Sequence, residues 1–157
     1  METPQSLTAV TGYLRSLAER YEPLASFGYG FEEEQGSGGN TAYPHLFLEA
    51  EMEVTEPNPG LDGYNVALLF LDKPQQQGTQ PGTAAELHIS SSTKQIADEV
   101  LEILRMEQQL LSIKVGSRLS LSQFGPDSAY GWRVEVYFEI PKAIDRAAIR
   151  QRLTPLQ

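Results

Sequence analysis

"YNVALLFLDKP", Tyr64 to Pro74, is apolar on both sides of an extended chain. Val66, Leu68 and Phe70 face one way, and Ala67, Leu69 and Leu71 face the other. A strand of this kind is central to its sheet and covered on both faces, by its own chain or by a neighbouring subunit. Just upstream, "EPNPGLDG" (Glu56 to Gly63) is dense in turn formers. Before that, "YPHLFLEAEMEV" (Tyr43 to Val54) alternates again, with Leu46, Leu48, Ala50, Met52 and Val54 on one side. Phe47 and the carboxylates Glu49, Glu51 and Glu53 take the other side. The two strands and the turn between them read as a long hairpin.

Working outward, Leu7, Val10, Leu14, Leu17 and Ala18 recur at helical spacing between Ser6 and Tyr21. Pro4 suits the entry of that helix, Pro23 ends it, and Gly12 weakens it modestly. "FGYGFEEE" (Phe27 to Glu34) reads as a strand closed by the turn "QGSGGN". Residues 75–88, opening "QQQGTQPG", read as a long loop, a feature that in a compact domain is either functional or disordered. A second helix is expected from Ser91, capped by Ser92 with Gln95 in a capping-box position. Ile96, Val100, Ile103, Leu104 and Leu111 form its apolar stripe and Gly116 its end. "SRLSLSQF" and "YGWRVEVYFEIP" are two further strands around the turn "GPDS". In the last, Trp132, Val134, Val136, Phe138 and Ile140 face the core, while Arg133, Glu135, Tyr137 and Glu139 face out. Residues 146–157 read as a C-terminal arm, either a short basic helix or a mobile tail. This order predicts one α+β domain over 1–157, its ordered core about 5–145. The expected sheet is antiparallel, mixed pairing being possible, with four to five strands and two amphipathic helices on one face.

A chain of 157 residues, 40% hydrophobic and 21% charged, is sized and composed as one soluble domain. It has no cysteine, which excludes disulfides, thiolate metal sites and cysteine nucleophiles. No apolar run approaches the ~18 residues of a membrane span, and the first residues lack the features of a secretion signal. With 21 acids against 12 bases the net charge is −9, which repels nucleic-acid phosphates. Such a surface suits a wall past which DNA slides without sticking, or simply keeps the protein soluble.

No catalytic, cofactor-binding or metal-binding residue is expected. His45 and His88 lie in different elements without metal-ligand spacing, and read as strand-end or surface residues. Three carboxylates on one strand point the same way, poor geometry for a glycosidase pair. Glu49, Glu51 and Glu53 therefore read as a wet face, meeting bulk water, a partner or the lumen of a ring. Asp62 alone makes "NPGLDGYN" a weak calcium loop. Ser90, Ser91 and Ser92 lack any nucleophile setting and read as helix capping. "GSGG" at Gly36 to Gly39 is no phosphate loop, having no Lys-Ser/Thr after it. Phe47, Leu69, Leu71 and Tyr137, opposite the helix-covered face, form either a subunit interface or an apolar patch covered by the chain's own loops.

The pattern "YPHLFLE", then "VALLFLDKP", then "STKQIADEVLEILR" and "GWRVEVYFEIPKAID" resembles small tail-associated proteins of phages and prophages in Bacteroidetes-like bacteria. The similarity runs from Tyr43 to Asp145 and rests on spacing rather than on a catalytic signature. The resemblance implies a virion structural protein of the tail terminator or tail completion (head–tail joining) kind, not an enzyme. It implies a homo-oligomeric ring, six-fold, contacting a tail tube protein and a neck or connector protein, with genomic DNA passing through unbound. The location would be the phage tail or neck, and the host cytoplasm during assembly. A head–tail connector or head-closure protein is the alternative. A small-molecule binding or regulatory domain is the alternative of another class, and a hydrolase using the glutamates comes last.

Overall fold

In the computed structural model, which describes residues 3–36, 39–74 and 83–156, the chain begins with α1 (Leu7–Arg20) and β1 (Ser26–Gly30). A 3-10 turn at Glu32–Glu34 leads to β2 (His45–Glu49), β3 (Glu53–Asn58) and β4 (Leu61–Asp72). Then come α2 (Ala84–Glu107), β5 (Leu111–Phe124), β6 (Ala129–Pro141) and α3 (Arg146–Arg152). The strands form one six-stranded sheet in the order β1-β2-β4-β6-β5, with β3 also paired to β4. Only β1 and β2 are parallel; the other pairs are antiparallel. The fold is thus α+β, as the sequence predicts, with a mostly antiparallel sheet in which one parallel pair makes the pairing mixed, and β4 is central.

The strand count exceeds four to five because Tyr43–Val54 is not one strand. β2 ends at Glu49, and the Ala50 amide turns to the Gly30 carbonyl of β1 at 2.6 Å. Leu48 sits opposite Leu68 and Glu53 opposite Asn65, so five steps on one side answer three on the other. The surplus residues bulge out of the ladder and split the hairpin arm in two. Likewise "FGYGFEEE" is strand only to Gly30, and Glu32–Glu34 coil into the 3-10 turn.

α2 also departs from expectation. It starts about two turns earlier than Ser91, at Ala84, and Thr83 rather than Ser92 is its N-cap. Ala84, Ala85, Glu86 and Leu87 are strong helix formers and carry the helix back toward residues 75–82, which lie outside the described residues. Ser90–Ser92 are helical: the Ser92 hydroxyl donates to the Ile89 carbonyl, and the Ser90 carbonyl accepts from Trp132 Nε1 at 2.8 Å. The helix ends at Glu107, with Gln108 left-handed at φ 54°. Leu111 and Gly116 therefore belong to β5. α1 is capped by Ser6, whose Oγ accepts from the Ala9 amide at 3.1 Å. Its buried stripe is Val10, Tyr13, Leu14, Leu17 and Ala18.

Both long helices cover one face of the sheet. Their apolar stripes meet Leu46, Leu48, Val66, Leu68, Phe70, Val134, Val136, Phe138 and Ile140 in one cluster, with Trp132 packed against it. Glu107 at the end of α2 ties the helices together: it accepts from the Tyr13 hydroxyl and from both terminal nitrogens of Arg20, each at 2.8 Å. The Arg20 guanidinium holds the Glu107 carboxyl below its ordinary range. At Gly131, φ is +155° and a Cβ would lie 1.8 Å from the Phe70 carbonyl oxygen. Only glycine allows β6 that close to β4.

The second face corrects the interface expectation. Phe47, Leu69 and Leu71 are buried within the chain itself, with Ala129, under Tyr43, Leu121 and Phe124. The last residues of β5 and the segment before β2 supply that cover, so these three residues offer no docking surface. Tyr137 is half-buried at the far end of the same face. No helix among the described residues is long and apolar enough to cross a membrane.

Candidate functional site

Beyond the packed end, the second face becomes ionic and then open. Ala67 lies opposite Glu135, and Leu69 opposite Arg133. The side chain of Glu49, on the adjoining strand, is 5% exposed. Its two oxygens accept from Arg133 Nε at 2.9 Å and Nη2 at 3.0 Å. The remaining nitrogen, Nη1, reaches Glu135 at 3.2 Å. Hydrogen bonding to Glu49 first, and to Glu135 after it, raises the Arg133 pKa further. The three strand carboxylates are therefore not one wet face. Glu49 is a buried ion-pair partner, whereas Glu51, at the break, and Glu53 are exposed.

A cleft of about 620 Å³ opens beside this ion pair, within the range of built binding sites. Glu51 and Glu53 stand at it with Lys114, Arg133, Glu135 and Tyr137. The hollow exists because Ala67 and Gly116, which also line it, supply almost no side-chain bulk where their neighbours are long. Lys114 is held over the Tyr137 ring, 5.6 Å from its centroid. Glu51 and Glu53 have no ion-pair partner among the described residues.

A second polar cluster closes the packed end. His45 is 5% exposed, and its Nδ1 lies 2.6 Å from Ser26 Oγ. The Ser26 hydroxyl also donates to the Ala42 carbonyl. With that proton on the carbonyl, Ser26 accepts from His45 and is not activated by it. Burial lowers the His45 pKa to about 4, with the Asp127 charge pulling the other way. Asp127 itself accepts from the Tyr43 hydroxyl at 2.6 Å and pairs with Lys73 at 3.5 Å. Burial, then this bond to Asp127, pushes the Tyr43 pKa up to about 12. Ser, His and Asp are thus neighbours without the serine-to-imidazole-to-carboxylate relay of a hydrolase. The cluster pins the loop before β2 to the β5–β6 turn.

The remaining candidates are dispersed. His88 is exposed on α2, away from His45. Among the described residues no three His, Cys, Asp or Glu side chains could share a metal ion. Asp62 pairs with Lys142 at 3.5 Å, as does Glu56 at 3.0 Å, so the hairpin end is an ion-pair cluster. Ser37 and Gly38 of "GSGG" lie outside the described residues. Sequence reasoning placed Arg133 correctly on the outer face yet missed its bond to Glu49, because the two lie 84 positions apart. Compared with protein-family models and with curated proteins, the chain matches none.

Proposed function

We propose that this chain is a structural subunit assembling with its own copies into a ring of the tail terminator or tail completion kind. The ring would cap a tail tube and join it to the neck. The observation that carries this reading is α3. It is a well-formed helix, N-capped by Asp145, which accepts from the amides of Ala147 and Ala148 at 3.0 and 3.2 Å. Yet it buries no residue. Ile144, Ile149, Leu153 and Leu156 around it are 59%, 47%, 67% and 103% exposed. A seven-residue helix has too few hydrogen bonds to offset its nucleation in water and needs packing to persist. That packing is missing among the described residues, and a neighbouring subunit would supply it.

Two other modes of assembly have less support. The apolar face at Phe47, Leu69 and Leu71 is filled from within. The β5 edge is long, but its register shifts at three places, and Ser112 and Gln123 have φ of 50°. Such bulges blunt an edge against a further strand. The acidic balance of the chain fits a ring through which DNA passes unbound. The resemblance over Tyr43–Asp145 supports the tail position.

Native mass spectrometry across a hundred-fold concentration range tests this reading. A discrete species of six or twelve copies is expected. A monomer or dimer at every concentration, with a ligand-induced thermal shift, would overturn it in favour of a small-molecule binding domain.

A further inference from the structure

The C-terminal arm carries charge opposite to that of the body. Lys142, Arg146, Arg150 and Arg152 face a single carboxylate, Asp145, within residues 142–156 of a chain whose total is −9. Arg146, Ile149, Arg150 and Leu153 stand at i, i+3, i+4 and i+7, so two cations and two apolar groups share one stripe. None of the three arm arginines has an ion-pair partner among the described residues. A matching hollow among the described residues is the cleft where Glu51 and Glu53, without ion-pair partners there, stand beside Ala67 and Glu135. Its cations are already engaged: Arg133 by Glu49 and Glu135, Lys114 over the Tyr137 ring.

The arm is not placed to reach its own cleft. The Lys142 amide donates to the Gly60 carbonyl at the hairpin end, and Ala143 then lines a hollow with Thr3, Ser6, Ala9 and Tyr13, on the helix side of the sheet. The cleft residues Ala67, Arg133, Glu135 and Tyr137 lie on the opposite face. From this placement we propose that α3 of one copy docks into the Glu51–Glu53 cleft of a second copy. Arg146 and Arg150 pair with the carboxylates while Ile149 and Leu153 leave water. The contact is head-to-tail: each copy gives an arm and receives one, and repetition closes a ring when the rotation allows. The inference rests on the assembly reading above and names the contact that makes it.

A charge swap on the full chain tests it. One variant carries Glu51→Lys and Glu53→Lys; the other carries Arg146→Glu and Arg150→Glu. Every altered residue is exposed, and circular dichroism checks that each variant folds. Each variant alone should need at least a tenfold higher concentration for half-assembly than the unaltered chain. Mixed in equal amounts, they should recover assembly, because the reversed arm meets the reversed cleft and the native arm meets the native cleft. The recovered species should hold equal numbers of the two variants. Undiminished assembly by either variant alone, or no recovery on mixing, would overturn the arm-to-cleft contact while leaving the ring reading in place. A chain that is monomeric without any substitution would overturn both.

Discussion

The buried ion pair between Glu49 and Arg133 makes an asymmetric prediction. Its two partners differ in exposure, 5% for the Glu49 side chain against 31% for Arg133. Arg133→Met leaves a carboxylate in a site built to exclude water. Breaking a buried pair this way costs about 3–5 kcal/mol, and the lower end applies because the vacated guanidinium site is partly open to solvent. Glu49→Leu leaves an arginine that still holds Glu135 at 3.2 Å and still reaches water. Its cost should be about 1 kcal/mol, the net value of an exchanged hydrogen bond. The double variant replaces both charges with apolar groups and should fall within about 1 kcal/mol of the unaltered chain.

Urea unfolding, followed by circular dichroism and by Trp132, the single tryptophan, gives all four corners of the cycle. The expected coupling is about 4 kcal/mol, with the slope in urea unchanged. High salt should leave it nearly intact, since buried pairs are poorly screened. Lys94 and Asp98, an exposed pair at 2.7 Å on α2, serve as the control, with a coupling of about 0.3–0.5 kcal/mol that salt removes. Equal costs for the two single variants, or a double variant equal to their sum, would refute the asymmetry and the burial argument beneath it.

Other outcomes follow from single sites. Gly131→Ala forces a Cβ into the Phe70 carbonyl at a positive φ, a loss of roughly 3–5 kcal/mol visible as a collapsed urea midpoint. Gly12→Ala, at an exposed position of α1 where an added Cβ would meet nothing beyond its own helix backbone within 4 Å among the described residues, should instead stabilise by about 0.4–1 kcal/mol. His45 titrates near 4 when folded against an ordinary 6.5, so between those values the unfolded chain binds more protons. Stability is full above pH 6.5 and declines toward pH 4, by up to about 3 kcal/mol from this residue. In a pH series of urea midpoints His45→Asn should flatten that decline, and parallel profiles would refute the assignment. Ending the chain after Ala143 removes no buried side chain among the described residues. Its unfolding free energy should change by less than about 0.5 kcal/mol, while assembly measured by native mass spectrometry is lost.

What was legible in the sequence depended on how local its cause was. β4 and β6 could be read because alternation is a property of neighbouring residues, and Trp132 to Ile140 face the core as their spacing predicts. The break at Ala50 could not be read, since it exists only in the pairing to β4, where five steps from Leu48 to Glu53 answer three from Leu68 to Asn65. Glu49 reads as a wet residue for the same reason: its period matches Glu51 and Glu53, and only the fold brings Arg133 to it. Phe47, Leu69 and Leu71 left two readings open because the cover comes from Tyr43, Leu121 and Phe124, distant in the chain. The early start of α2 was obscured by the serine cluster. Serines are good caps, but here good helix formers precede them.

The second face of the sheet changes character along β4, where Leu71, Leu69, Ala67 and Asn65 follow one another on that side. The chain covers the leucines, bonds across the alanine and leaves the asparagine exposed. A buried ion pair at the transition is not needed for stability, since apolar replacements of similar volume serve as well. It does fix Arg133 in position to hold Glu135 at the cleft. Stability and assembly should therefore separate in the variant carrying Glu49→Leu with Arg133→Met. The variant should unfold at the urea concentration of the unaltered chain yet need several-fold more protein to assemble, because Glu135 is no longer held. Sedimentation across a concentration series reads the second quantity and urea unfolding the first. Unchanged assembly in a chain of unchanged stability would show that the ion pair only fills space, and that Glu135 takes no part in receiving the arm.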